Sequence, residues 1–274
     1  MTKKVIAGGC SFTYGSELSD DEQGKKPSKK SWAHQLYQQA SYPAARYPDK
    51  DLELINVAFP GLGNQAIARR VFQAISNHER NIECVIIMWS FLSRYDWAMP
   101  RNKVLENTRW ASISPWDTET GNEEAFRTLA GSETQQTQWR TKRELLNQTG
   151  VRGFSEALYK YAANQYHEVY LSWKSIIWLQ NLLEKKNIPY MFTLADNSLF
   201  YDKFTNHKEG DKLLTALWSE MEIGKWFHFG ERMMGFNQWA MLEEYERGTT
   251  HPLDQAHQDA VKLMLPTFKK LIGG

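Results

Sequence analysis

Apolar residues in this chain come in short unbroken runs, separated by stretches with helical spacing. Val5-Ile6-Ala7 ends at Gly8-Gly9, and the run predicts a strand over Lys3–Gly8. Leu52–Val57 reads as a second strand. Glu83–Trp89 is a third, continuously apolar from Cys84, as expected of a strand covered on both faces of a parallel sheet. Ile188–Leu194 is a fourth. Between them, Ser31 is a suitable N-cap for a helix from Trp32 to about Ala40. Ala66, Ile67, Val71, Phe72 and Ile75 mark a helix over Gln65–Asn77. Phe154–Lys186 reads as one long helix or two, and Lys208–Glu222 and Phe236–Glu246 as further helices. A last helix opens near Pro252, whose fixed φ suits a first turn, and runs to about Leu271.

Strands alternating with helices imply an α/β fold, a three-layer α/β/α arrangement around a flavodoxin-like parallel sheet. The alternation breaks between Trp97 and Gly153, where the sequence is polar and holds Trp110, Trp116 and Trp139. So long a segment is expected to carry structure of its own. It reads as a cap inserted into one domain spanning 1–274, with short helices at Glu123–Leu129 and Gln135–Leu146.

Composition narrows the class. A net charge of +1 gives no basic field to suggest nucleic acid or an anionic membrane as partner, and no apolar run reaches the roughly 20 residues of a membrane span. Met1-Thr2-Lys3-Lys4 and the brief apolar run after it are too short for a signal peptide. The two cysteines, Cys10 and Cys84, abut strands and read as free thiols, so a cytoplasmic protein is expected. No His, Cys or carboxylate spacing suits a metal, and no metal or cofactor is expected. The 11 tryptophans suggest a surface rich in flat side chains as well as core.

Four segments carry candidate chemistry. Gly9-Cys10-Ser11-Phe12-Thr13-Tyr14-Gly15 sets a glycine-flanked hydroxyl at the carboxyl end of strand one, where open α/β sheets bind ligands. Asn56-Val57-Ala58-Phe59-Pro60-Gly61-Leu62-Gly63-Asn64 follows strand two, and Trp89-Ser90-Phe91-Leu92-Ser93-Arg94 follows strand three. His251-Pro252-Leu253-Asp254-Gln255-Ala256-His257 opens the last helix. In kind and order these segments resemble the SGNH (GDSL) hydrolase superfamily, in particular its compact members, including forms found in phage genomes.

The resemblance implies roles. Ser11 matches the nucleophile and His251 the base that takes its proton. The N–H groups of Ser11 and Gly61 match oxyanion donors, and Asn64 a position that supports the turn or contacts substrate. Cys10 stands where the family usually has Asp. The family's third block carries an Asn that completes the oxyanion hole; here Ser90 and Ser93 are the hydroxyls available, and Arg94 offers charge or a substrate contact. The family's Asp three residues before the His is Gly248, which leaves Glu246, Asp254 and Asp196 as candidates to orient His251. His257 is read as structural. The implied activity is hydrolysis of an acyl ester by a Ser–His dyad or triad, with O-acetyl groups on a carbohydrate the favoured substrate and no partner beyond a small-molecule or glycan ester. The alternatives are an O-acyltransferase using the same site, or a catalytically degenerate binding or assembly protein. Nothing in the pattern fixes an oligomeric state.

Overall fold

Four of the strands fall where the apolar runs lie. A computed structural model of the chain describes residues 2–21, 25–41, 52–78, 80–99, 110–118, 150–201 and 211–273. The strands are β1 (Lys3–Gly8), β2 (Leu52–Asn56), β3 (Ile82–Trp89), β4 (Tyr95–Ala98), β5 (Trp110–Ile113) and β6 (Tyr190–Leu194). The helices are α1 (Ser11–Tyr14), α2 (Trp32–Ser41), α3 (Asn64–Asn77), α4 (Val151–Tyr161), α5 (Gln165–Lys185), α6 (Ser198–Tyr201), α7 (Lys212–Ser219), α8 (Phe236–Leu242) and α9 (Asp254–Gly273).

Four strands form a parallel sheet in the order β2-β1-β3-β6. The register pairs Ile6 with Ile55 on one side and Val85 on the other, and Ile87 of β3 with Phe192 of β6. Residues 84–89 of β3 are all fully buried, which is why that run carries no polar alternation. The strand order reverses at β1, so the crevice beyond the carboxyl ends of β1 and β3 is the place for a ligand.

Two helical layers cover the sheet. Helices α2 and α9 pack on one another, and α9 reaches β3 and β6. Its buried stripe is Ala256, Ala260, Met264 and Phe268, one residue per turn. Helix α3 packs on β1, β3 and α5, burying Ala66, Ile67, Val71, Ala74 and Ile75. A break at Ala162–Asn164 divides the long helical region into α4 and α5, and the Asn164 side chain caps α5 by accepting from the His167 amide at 2.9 Å.

The segment expected to form a cap, 97–153, is described only at 97–99, 110–118 and 150–153. Its described residues include an antiparallel hairpin of β4 and β5, with Asp96 opposite Ser112, and then α4. Tyr95, Met99, Ile113 and Val151 form a small separate core against Phe154, Leu158 and Leu171. The helices expected at 123–129 and 135–146 lie outside the described residues. Trp97 and Trp110 on the hairpin are half-exposed, whereas Trp32, Trp89 and Trp173 are core. No described helix is long and apolar enough to cross a membrane.

Candidate active site

β1 ends at Gly8, and the chain turns sharply into the single-turn helix α1. Gly9 permits that turn. Its φ is +156°, and a Cβ there would lie 2.0 Å from the Thr13 hydroxyl. Ser11 is the first helical residue. Its N–H has no partner among the described residues, as expected of the first turn of a helix. The adjoining Cys10 is a buried free thiol whose carbonyl accepts from the Thr13 and Tyr14 amides.

The second turn is tied to this elbow. Val57 N–H donates to Ala7 O at 2.8 Å and Phe59 N–H to Gly9 O at 3.3 Å. The Asn56 side chain accepts from the Ala58 amide. Phe59-Pro60-Gly61-Leu62 then forms a turn closed by Leu62 N–H to Phe59 O, with Gly61 at φ +82°. Pro before a positive-φ Gly is the type II pattern. Gly61 N–H also has no partner among the described residues, so two uncommitted amides belong to neighbouring turns.

His251 comes from a small loop just before α9. Gly248 N–H donates to His251 O and Leu253 N–H to Glu246 O, which fixes the loop. The His251 ring packs edge-on against Phe12, centroids 4.7 Å apart, and its Nε2 lies 2.7 Å from Ser11 Oγ. On the far side of the ring, Nδ1 lies 3.2 Å from Glu17 Oε2 and 2.8 Å from Thr250 Oγ1. Glu17 Oε2 also accepts from the amides of Thr250 and His251, both at 3.1 Å. One carboxylate oxygen therefore holds both the ring and the backbone that carries it.

The sequence pattern does not single out Glu17, and none of the candidates it offers to orient His251 is hydrogen-bonded to that ring. Asp254 accepts from Ser19 N–H and Oγ and from Lys30 Nζ, which pins the 16–30 loop to the start of α9. Asp196 accepts from its neighbour Ser198 N–H, and the Glu246 side chain is exposed. Gly248 explains the exchange. A Cβ there would sit 2.5 Å from Glu17 Oε2, so the missing side chain at 248 leaves the space that the Glu17 carboxylate occupies.

Glu17 also holds an uncommon backbone, φ +68°, in the left-handed region that costs a non-glycine residue about 1–2 kcal/mol. Burial raises its carboxyl pKa. The hydrogen bond and charge of His251 and the two amides outweigh that, and the pKa lies below the usual glutamate value. The side chain is thus a carboxylate at neutral pH.

Two further positions are buried. Asn64 is buried and spent on structure: its Oδ1 accepts from Ser90 N–H at 2.7 Å, and its Nδ2 donates to Ser90 O and Ser172 Oγ. Ser90 has no exposed surface, and its Oγ accepts from Arg94 Nη1 at 2.9 Å, so it does not face the crevice as an oxyanion donor. Arg94 Nη1 also donates to Leu62 O at 3.2 Å, and the guanidinium lies over the Phe91 ring. His257 is fully buried. Its Nδ1 accepts from Trp32 N–H at 3.0 Å, a structural role. No group of three or more His, Cys, Asp or Glu suited to a metal occurs among the described residues.

No protein-family model and no curated protein matches the chain by sequence. Solved structures similar to it include the psychrotrophic esterase EstA from Pseudoalteromonas sp., at 11% identity and a TM-score of 0.48, covering 99% of this chain and 100% of that one. A carbohydrate acetylesterase family member from Sinorhizobium meliloti is 10% identical with a TM-score of 0.44, both chains covered in full. A lipolytic protein of the G-D-S-L family from Desulfitobacterium hafniense is 11% identical with a TM-score of 0.45, covering 97% and 99%. At identities this low and TM-scores below 0.5, the likeness assigns no role to any residue.

Proposed function

We propose that this protein is a serine esterase of the SGNH type, with Ser11, His251 and Glu17 as its catalytic relay. The observation that carries the reading is the line from Ser11 Oγ to His251 Nε2 at 2.7 Å and from His251 Nδ1 to Glu17 Oε2 at 3.2 Å. With Nδ1 protonated, Nε2 presents a lone pair to the serine hydroxyl. Ser11 Oγ attacks the ester carbonyl and its proton passes to Nε2. The positive ring is held by the Glu17 carboxylate. The carbonyl oxygen, now an anion, is met by the free amides of Ser11 and Gly61, each such donor being worth about 3 kcal/mol in the transition state. Collapse returns the proton to the leaving alkoxide and leaves an acyl-serine. Water activated by the same ring then hydrolyses it.

The favoured substrates are small O-acyl esters, O-acetyl groups on carbohydrate among them. That preference rests on the half-exposed Trp97 and Trp110 of the β4–β5 pair, flat side chains of the kind that stack on sugar rings, each with one neighbour already against its ring, Phe154 and Arg69 respectively.

The test compares wild type with Ser11→Ala, using p-nitrophenyl acetate turnover and labelling by a fluorophosphonate. Wild type is expected to turn over the ester and take the label, and Ser11→Ala to do neither. Equal labelling of the two proteins would overturn the reading.

A further inference from the structure

Arg94 follows β3 and is half-buried, yet among the described residues it forms no ion pair with an acid. Both of its hydrogen bonds are made by one nitrogen, Nη1, to Leu62 O and Ser90 Oγ. Nε and Nη2 have no partner among the described residues. The side chain is nonetheless fixed. Its guanidinium lies 5.0 Å from the Phe91 ring centroid, and its backbone packs against Gly63, where a Cβ would approach the Arg94 carbonyl to 2.6 Å. Asn64 clamps Ser90 from the other side through two hydrogen bonds.

The fixed end of the guanidinium is anchored on the residue next to Gly61, the proposed oxyanion donor. The Phe91 ring beneath it touches Phe12, the neighbour of Ser11, with centroids 5.8 Å apart. A cation held in place, half out of water and with no acidic partner among the described residues, is costly to fold. It is well suited to a site where negative charge appears only during reaction.

We infer that Arg94 is the third oxyanion donor of this site, its unbonded Nη2 and Nε meeting the anion that forms between the Ser11 and Gly61 amides. The inference rests on the esterase reading. It deepens that reading by assigning to a cation the stabilisation that the buried Ser90 cannot give. The donor acts on the tetrahedral anion rather than on the neutral ester, so its loss falls on kcat and not on KM.

The experiment is p-nitrophenyl acetate hydrolysis by wild type, Arg94→Ala, Arg94→Lys and Ser93→Ala, with and without added methylguanidinium. Arg94→Ala is expected to lose about 10²–10³-fold in kcat at a KM within about threefold of wild type. Methylguanidinium should restore part of that rate, saturably. Arg94→Lys keeps a charge and one anchoring donor and should lose about tenfold. It carries the test if the alanine variant does not fold. Ser93→Ala should match wild type. Three results would overturn the inference: an unchanged kcat in both Arg94 variants, a loss borne by KM alone, or Ser93→Ala as the variant that loses rate. Failure of the esterase reading is told apart by fluorophosphonate labelling. An unlabelled wild type sinks both, whereas a labelled wild type with Arg94 variants of full kcat sinks only this one.

Discussion

Glu17 is one glutamate among 32 acidic residues, in a loop whose sequence looks merely solvated. The role proposed for it rests on three things a sequence does not display. Its backbone is left-handed, its side chain reaches a loop 234 residues away, and the space it fills is left by a missing side chain at Gly248. Ser11 and His251 are legible because each carries local punctuation, glycines around one and a proline after the other. Asn64 stays ambiguous in the sequence for a related reason: an amide after a glycine turn can face substrate or core, and its bonds to Ser90 appear only in the fold. Glu17→Gln tests the assignment. The amide keeps the shape but removes the charge facing the imidazolium, and kcat/KM should fall by about 10²–10⁴-fold. The same substitution should lower stability near neutral pH. A carboxyl depressed in the folded state contributes fully above its ordinary value of 4.5, and the contribution fades as pH falls through the lower folded value. Urea denaturation at a series of pH values should show the two proteins converging below that point. A constant gap would refute the linkage.

Helices α2 and α9 meet through a neutral imidazole. The first amide of α2 has no carbonyl of its own to bond, and His257 Nδ1, one turn into α9, accepts from it. That nitrogen must be unprotonated. Burial, then the charge of His251, pull the His257 pKa down to about 3, with Asp254 opposing, while the Phe236 ring packs edge-on against it. The folded state binds fewer protons than the unfolded chain between the ordinary value of 6.5 and about 3. Stability from this contact is therefore complete above pH 6.5 and declines steadily below it. His257→Asn offers an amide oxygen near the same place and no titration, so its stability should fall less between pH 6.5 and 4 than that of wild type. Parallel pH curves would contradict this. Helices of this length announce themselves by their apolar stripes, which place their boundaries to within a few residues. The four-residue strands β4 and β5 do not, because Tyr95-Asp96-Trp97-Ala98 and Trp110-Ala111-Ser112-Ile113 are too short and too polar to show a period.

Across the whole molecule, the sheet is the most legible part, since residues buried on both faces leave no room for ambiguity. Ile86, fully buried in β3 between Ala7 and Met191, samples that core. Ile86→Ala should cost about 2–5 kcal/mol in chemical denaturation, with labelling of Ser11 unchanged well below the transition. A much smaller cost would mean that the sheet collapses around the gap. The placement of Glu17 has a further consequence for how the site comes into being. In the proposed relay, Ser11 and Glu17 lie six positions apart and leave the ribosome together, whereas His251 is 240 residues from the serine. Through most of synthesis the growing chain holds a serine and a carboxylate with no imidazole between them. On the proposed reading, the relay is complete only once the amides of Thr250 and His251 have closed onto that carboxylate.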